Sequence, residues 1–133
     1  MKGFSFRFFI FYLASIFVVM FILGYIFTKS HPDVQNLLDN SSLSDIEKIN
    51  LLKSFVVPFI VMHFSSFFLG GLIPSLITGK KMIKEALIAS FVFNLPSVLF
   101  VFQIQVIFVL IVSFLAISGG SYFGTVLRFK KEE

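Results

Sequence analysis

The stretch SFVVPFIVMHFSSFFLGGLIPSLITGKKMIK, residues 54–84, decides the fold of this chain. It begins with a long, mostly apolar run and ends in a glycine that is followed by a cluster of lysines. A helix of roughly 20 apolar residues covers a hydrocarbon core of about 30 Å, because each residue adds about 1.5 Å. We therefore predict a membrane-spanning helix over residues 54–78, with Gly79 ending it in the left-handed conformation.

The composition of the whole chain indicates the same class of protein. Hydrophobic residues make up 57% and charged residues 14% of the 133 positions, whereas about a quarter of a soluble domain is charged. The chain has no cysteine, which excludes disulfides, thiolate metal sites and cysteine nucleophiles. Because the basic residues flank apolar runs, we attribute the net charge of +4 to membrane topology and expect no nucleic-acid partner. With no tryptophan present, any interfacial aromatic belt is expected at Tyr12, Tyr25 and Tyr122.

Three further spans are predicted from the other apolar runs. The run from residue 82 to residue 127 is about twice as long as one span needs, so it must turn back. Its least apolar point is Gln103-Ile104-Gln105, and a competing break lies at Asn94-Leu95-Pro96. We prefer the first division. The prediction is one membrane domain with spans at 8–28, 54–78, 82–102 and 106–127, a loop at 29–53 and a basic tail at 128–133.

The loop between the first two spans is predicted to contain a short amphipathic helix. Ser44 and Glu47 fit a capping box, in which each side chain binds the backbone amide of the other residue. Ile46 and Ile49 follow at helical spacing, so we expect the apolar side of this helix at the membrane surface. We favour a solvated connector over a gating or partner-docking helix.

The lysines and arginines predict the orientation in the membrane. With both termini in the cytoplasm, eight of these residues lie inside and three outside, which satisfies the positive-inside rule. We therefore expect an all-α polytopic protein of the bacterial cytoplasmic (inner) membrane, built as two tandem hairpins with both termini inside. The inner residues are Lys2, Arg7, Lys80, Lys81, Lys84, Arg128, Lys130 and Lys131, and the outer ones are Lys29, Lys48 and Lys53.

His63 and Asn94 form the candidate polar site inside the membrane. Both are expected roughly 12–14 Å below the outer boundary, on neighbouring helices, where a hydrogen bond between them is geometrically feasible. Ionisable groups within spans are functional candidates by default, so the pair could line a path for a proton or an ion. The alternative is a structural bond between helices, worth about 0.6–2 kcal/mol. Both interpretations stay open at this point.

Small residues form a candidate packing face. Ala116, Gly120 and Gly124 are spaced by four on the last span, and Gly70-Gly71 lies on the second. Such a face lets another helix backbone approach closely. Its partner could be a helix of the same chain, a second copy or a different protein.

The function predicted from these patterns is not catalytic. His63, the one histidine inside a predicted span, has no paired carboxylate, cysteine or second histidine and so provides neither a triad nor a metal site. We therefore expect no cofactor and no metal. We also expect no carboxylate inside a span, which argues against a proton-coupled antiporter. The favoured hypothesis is an accessory, assembly or anchoring subunit that acts through helix packing, in a homo-oligomer or a larger membrane complex. The alternative is a small oligomeric channel or transporter whose path is lined by His63 and Asn94.

Overall fold

The computed structural model of the protein describes residues 3–30, 32, 44–54, 56–100 and 104–132. All the regular secondary structure in these ranges is helical, which confirms the predicted all-α class. Three helices are long and apolar enough to span a membrane, over Phe6–Ser30, Val57–Thr78 and Val106–Glu132. The helices of the described ranges are α1 (Phe6–Ser30), α2 (Asp45–Ser54), α3 (Val56–Thr78), α4 (Ile83–Phe100) and α5 (Ile104–Glu132).

The four long helices form a closed bundle in which α1 and α5 each pack against both α3 and α4. Tyr12, near the start of α1, bonds Ser75 near the end of α3, so these two helices are antiparallel. Helices α3 and α5 run in the same direction, and the starts of α1 and α4 lie side by side. We call the end of the bundle that holds Thr78 and Arg128 the terminal end, and the opposite one the distal end.

Small and hydroxyl-bearing residues fill the interior of the bundle, and large apolar residues cover its outside. Ala86 and Ala89 are fully buried, whereas Phe21 and Leu115 are 71% and 68% exposed. Exposure of such a surface to water is unfavourable, whereas lipid chains are as apolar as these side chains. In the interior, small residues let membrane helices approach each other closely. The distribution is typical of a protein surrounded by lipid.

The observed helix ends bear on the predicted break in the long apolar run. Helix α4 continues through Pro96 to Phe100, so the competing break at Asn94-Leu95-Pro96 is not observed. Helix α5 begins at Ile104, within the predicted turn and two residues before the predicted start of the fourth span at residue 106. Residue 103 of that turn, and most of the loop at 31–43, lie outside the described residues.

Helix α2 begins at the predicted capping box, which is confirmed. The Ser44 amide donates to Glu47 Oε2 at 3.0 Å, and the Glu47 amide donates to Ser44 Oγ at 3.3 Å. Ile46 and Ile49 are both exposed. The bundle therefore leaves the described apolar side chains of α2 uncovered.

Gly79 ends α3 in the predicted left-handed conformation, with φ of 66°. Its amide donates to the Ser75 carbonyl at 2.8 Å. A Cβ built on this glycine would lie 3.0 Å from Arg128 Cδ, so both the backbone angle and the neighbouring side chain favour glycine.

Gly79→Ala is expected to lower the free energy of unfolding by about 1–2 kcal/mol, because an L residue is strained at this φ. Unfolding in mixed micelles, followed by circular dichroism during a denaturant titration, measures the change. Gly24→Ala is the matched control, since a Cβ at this helical glycine of α1 meets nothing within 4 Å. The control should be neutral or stabilising by up to about 1 kcal/mol. Equal losses of unfolding free energy in Gly79→Ala and Gly24→Ala would contradict the left-handed conformation of Gly79.

Candidate functional site: polar clusters inside the bundle

A partly open cavity of about 370 Å³ lies toward the distal end of the bundle. Its polar lining consists of His63 from α3 together with Asn94 and Ser97 from α4, and α1 and α5 contribute apolar side chains. The structure therefore brings the two residues singled out from the sequence, His63 and Asn94, to one cavity.

His63 and Asn94 bond other groups and not each other. His63 Nε2 lies 2.9 Å from Ser113 Oγ of α5, and the Ser113 hydroxyl donates to the Val109 carbonyl at 2.7 Å. Because a serine hydroxyl has one hydrogen, His63 satisfies both contacts when it carries its proton on Nε2 and donates to Ser113. Asn94 Nδ2 donates to the Ser90 carbonyl on its own helix at 2.9 Å. The feasible His63–Asn94 bond is thus replaced by a bond from α3 to α5.

Three buried hydroxyls form a second polar cluster nearer the terminal end, which we call the hydroxyl triangle. Tyr12 Oη lies 2.9 Å from Ser75 Oγ and 3.0 Å from Ser121 Oγ, and the two serine oxygens are 2.6 Å apart. All three residues are 0% exposed. A ring of three hydroxyls is satisfied when each donates once and accepts once. Tyr12 is therefore a core residue joining α1 to α3 and α5, and its expected place in an interfacial belt is wrong.

An apolar layer separates the hydroxyl triangle from the His63 cavity. Ile16, Phe67 and Ile117 are 0% exposed and lie between the two clusters on α1, α3 and α5. From Ser113 to Ser121 the axial distance along α5 is about 12 Å, at 1.5 Å per residue.

Two further serines, Ser15 of α1 and Ser90 of α4, are buried in the bundle. The hydroxyls of Ser15 and Ser90 have no hydrogen-bond partner among the described residues. Ser15 follows Tyr12 by one turn of α1 on its distal side, and Ser90 precedes Asn94 by one turn of α4 on its terminal side. Each therefore extends one cluster toward the other. Buried hydroxyls normally have a partner, often an ordered water, because leaving one unpaired costs about 1–3 kcal/mol.

Glu85 corrects the expectation that no carboxylate lies inside a span, because it falls within the predicted span 82–102. It is 3% exposed in the first turn of α4, and its Oε1 accepts the Ser5 amide at 2.9 Å where α1 begins. The Glu85 carboxyl group thus lies where the N-termini of α1 and α4 come together. The sequence placed Glu85 beside Lys84 in a basic segment, so its burial was missed.

The glycines of the predicted packing face form contacts between helices of this chain. A Cβ added at Gly120 would overlap the Phe68 carbonyl oxygen, and one at Gly71 would overlap that of Ile117. Helices α3 and α5 therefore touch backbone to backbone. The other members of the face are also in internal contacts: Gly124 against α3, Gly70 against Ile16 of α1, and Ala116 in the buried core.

Comparison of the chain with protein-family models, with curated proteins and with solved structures found no match. The class of the protein therefore rests on its own architecture. Three helices that can span a membrane, together with the apolar outer surface, indicate an integral membrane protein.

Proposed function

We propose that this protein is a small membrane channel or transporter that conducts protons along the bundle. The observation that carries the proposal is the cavity lined by His63 and Asn94. Polar residues within membrane spans commonly mark ion pathways and proton relays, because their burial is otherwise unfavourable. Imidazole also takes up and releases protons near neutral pH.

The proton enters at the distal cavity and is exchanged at His63. Donation from Nε2 to Ser113 leaves Nδ1 as the acceptor of the neutral ring. Uptake and release of the proton at Nδ1, in exchange with water in the cavity, leaves the bond between Nε2 and Ser113 in place. Asn94 and Ser97 supply hydrogen-bonding groups for water on the α4 side of the same cavity.

From the cavity the path runs inward past Ser90 and Ser15 to the hydroxyl triangle. The contact between α3 and α5 is too close for a methyl group at Gly71 or Gly120, so it leaves no room for water. The two unpartnered hydroxyls lie on the other pair of helices, α4 and α1. Water molecules bonded to these two hydroxyls would extend the path from Asn94 toward Tyr12 and pass protons, while the apolar layer excludes larger solutes.

The same proposal includes four spans, with both termini in the cytoplasm of a bacterial cell. The eight-to-three distribution of basic residues supports this orientation. Helix α4 serves as the third span in chain order, and its 18 residues pack against both α1 and α5. The distal cavity then opens to the outside, and the terminal end faces the cytoplasm.

The packing-subunit hypothesis remains the alternative. It rested on the near absence of buried polar groups beside a small-residue groove, and the chain's own helices occupy that groove. An accessory or anchoring role in a larger complex therefore becomes the conclusion only if the protein moves no protons.

Proton flux into proteoliposomes tests the proposal. Purified protein is reconstituted with an entrapped pH dye, and a potassium gradient with valinomycin drives proton entry. The wild-type chain should acidify the lumen well above protein-free vesicles, and His63→Leu should reduce the rate on the order of 10²-fold, the lower end for a positioned proton-transfer group. His63→Gln keeps a hydrogen-bonding side chain without proton exchange and should lose flux as well.

The controls separate the path from general damage to the bundle. Phe64→Leu changes the neighbouring, 42% exposed side chain and should conduct normally. Ser90→Ala should slow flux, whereas Ser66→Ala should not, because the buried Ser66 hydroxyl is already bonded to the Met62 carbonyl. Circular dichroism of each variant checks its fold. A wild-type chain with no flux above empty vesicles would overturn the proposal.

A further inference from the structure

A second cavity, of about 440 Å³, opens at the terminal end of the bundle, remote from His63. It is lined by Arg128, Lys131 and Glu132 of α5 and by Leu76 of α3. The lining therefore combines two cationic side chains and one carboxylate with the apolar side chain of Leu76.

The surroundings of this cavity are cationic and amphipathic. Lys80, Lys81 and Lys130 are exposed at the same end of the bundle, and the Lys81 ammonium lies 5.1 Å from the centre of the Tyr122 ring. Phe129, next to Arg128, is 60% exposed. Basic groups beside exposed aromatic and aliphatic side chains, where helices leave the hydrocarbon region, match the boundary between lipid headgroups and acyl chains.

The structure holds the Arg128 guanidinium in place at the rim of the cavity. Nη1 donates to the Ile77 carbonyl and, at 3.4 Å, to that of Leu76, so the side chain caps the end of α3. Nε donates to Glu132 Oε1 at 3.1 Å. That pair is largely exposed to solvent, and such surface pairs are weak, so a phosphate can compete with it for the guanidinium.

We propose that this terminal cavity binds the headgroup of an anionic phospholipid. The phosphate lies between Arg128 and Lys131, and the glycerol and first acyl carbons pack on Leu76 and Phe129. Guanidinium and ammonium groups are the usual partners of phosphate, and basic pockets between membrane helices bind anionic headgroups in this way. The site is separate from the proton path and does not depend on it.

Titration of the detergent-solubilised protein with phosphatidylglycerol, followed by native mass spectrometry, tests this site. Lys131→Gln should weaken binding about tenfold, because the variant loses a charge-assisted hydrogen bond to the phosphate. Lys130→Gln is the matched control, since it removes the same charge one residue away from the cavity lining, and its affinity should stay within about twofold of wild type.

Three results would overturn the proposal. Equal weakening by the two lysine variants would show general charge attraction without a site. Equal binding of phosphatidylcholine would show that the anionic headgroup is not recognised. Displacement of the lipid by millimolar inorganic phosphate would show a site for the free anion.

Discussion

Gly120→Ala is expected to destabilise the bundle by about 3 kcal/mol, the upper end of the usual cost of overpacking a close-packed core. The added methyl group would overlap the carbonyl oxygen of Phe68, which is a backbone atom of α3. A flexible side chain could turn away, but a helix backbone can give way only if the two helices separate. Separation would also disturb the bonds from α3 to α5, including that between His63 and Ser113.

The adjacent glycine provides the control for this prediction. A Cβ at Gly119 would lie 3.9 Å from Phe68 Cε2, an ordinary contact. Gly119→Ala should therefore be neutral or gain up to about 1 kcal/mol from better helix propensity. Denaturant titrations in micelles, followed by circular dichroism, compare the two single-methyl variants. Equal stability of both would show that α3 and α5 do not approach as closely as described.

Tyr12→Ala is expected to cost about 3–5 kcal/mol, the range for deleting a large buried aromatic ring. Tyr12 is 0% exposed and has bonds to two other helices, so the variant loses packing and the hydroxyl triangle together. Tyr12→Phe separates these effects. It keeps the ring, leaves Ser75 and Ser121 bonded to each other, and should cost only about 1 kcal/mol, because interhelical bonds in membranes contribute modestly.

Tyr25→Phe is the control for the loss of a tyrosine hydroxyl. Tyr25 lies on the same helix, is 60% exposed, and its ring lies 5.6 Å from the Lys29 ammonium, a contact that phenylalanine retains. The same titration should find this variant within about 0.5 kcal/mol of wild type. If Tyr12→Phe is equally silent, the two hydrogen bonds of the Tyr12 hydroxyl contribute nothing to stability, and its place in the proton path becomes the remaining reason for its burial.

The cavity proposed for proton entry and the proposed lipid site lie at opposite ends of the molecule. The His63 cavity lies toward the distal end and the Arg128 cavity at the terminal end, with the apolar layer between them. Phe64 and Lys130 line neither of these two cavities. Phe64→Leu should therefore bind lipid normally, and Lys130→Gln should conduct protons normally. A variant at one end that alters both functions would point to a global change in the bundle.

The sequence alone determined the features that depend on neighbours along the chain. The length of an apolar run predicted the spanning helix later found as α3, because a helix rises by a constant amount per residue. Ser44 and Glu47 predicted the start of α2, and Gly79 the end of α3, because capping involves groups within a few residues of each other. The all-α class follows from the same local rules.

Only the tertiary structure decided which polar groups meet. His63 and Ser113 are 50 positions apart, Ser5 and Glu85 are 80 apart, and Tyr12 and Ser121 are 109 apart. The spacing of one helix shows which residues share a face, but not which helix covers that face. The spacing of Gly120 and Gly124 therefore predicted that another helix approaches α5 closely, but it did not predict which helix. The partner is α3 of the same chain, because the backbones of α3 and α5 meet where neither has a side chain.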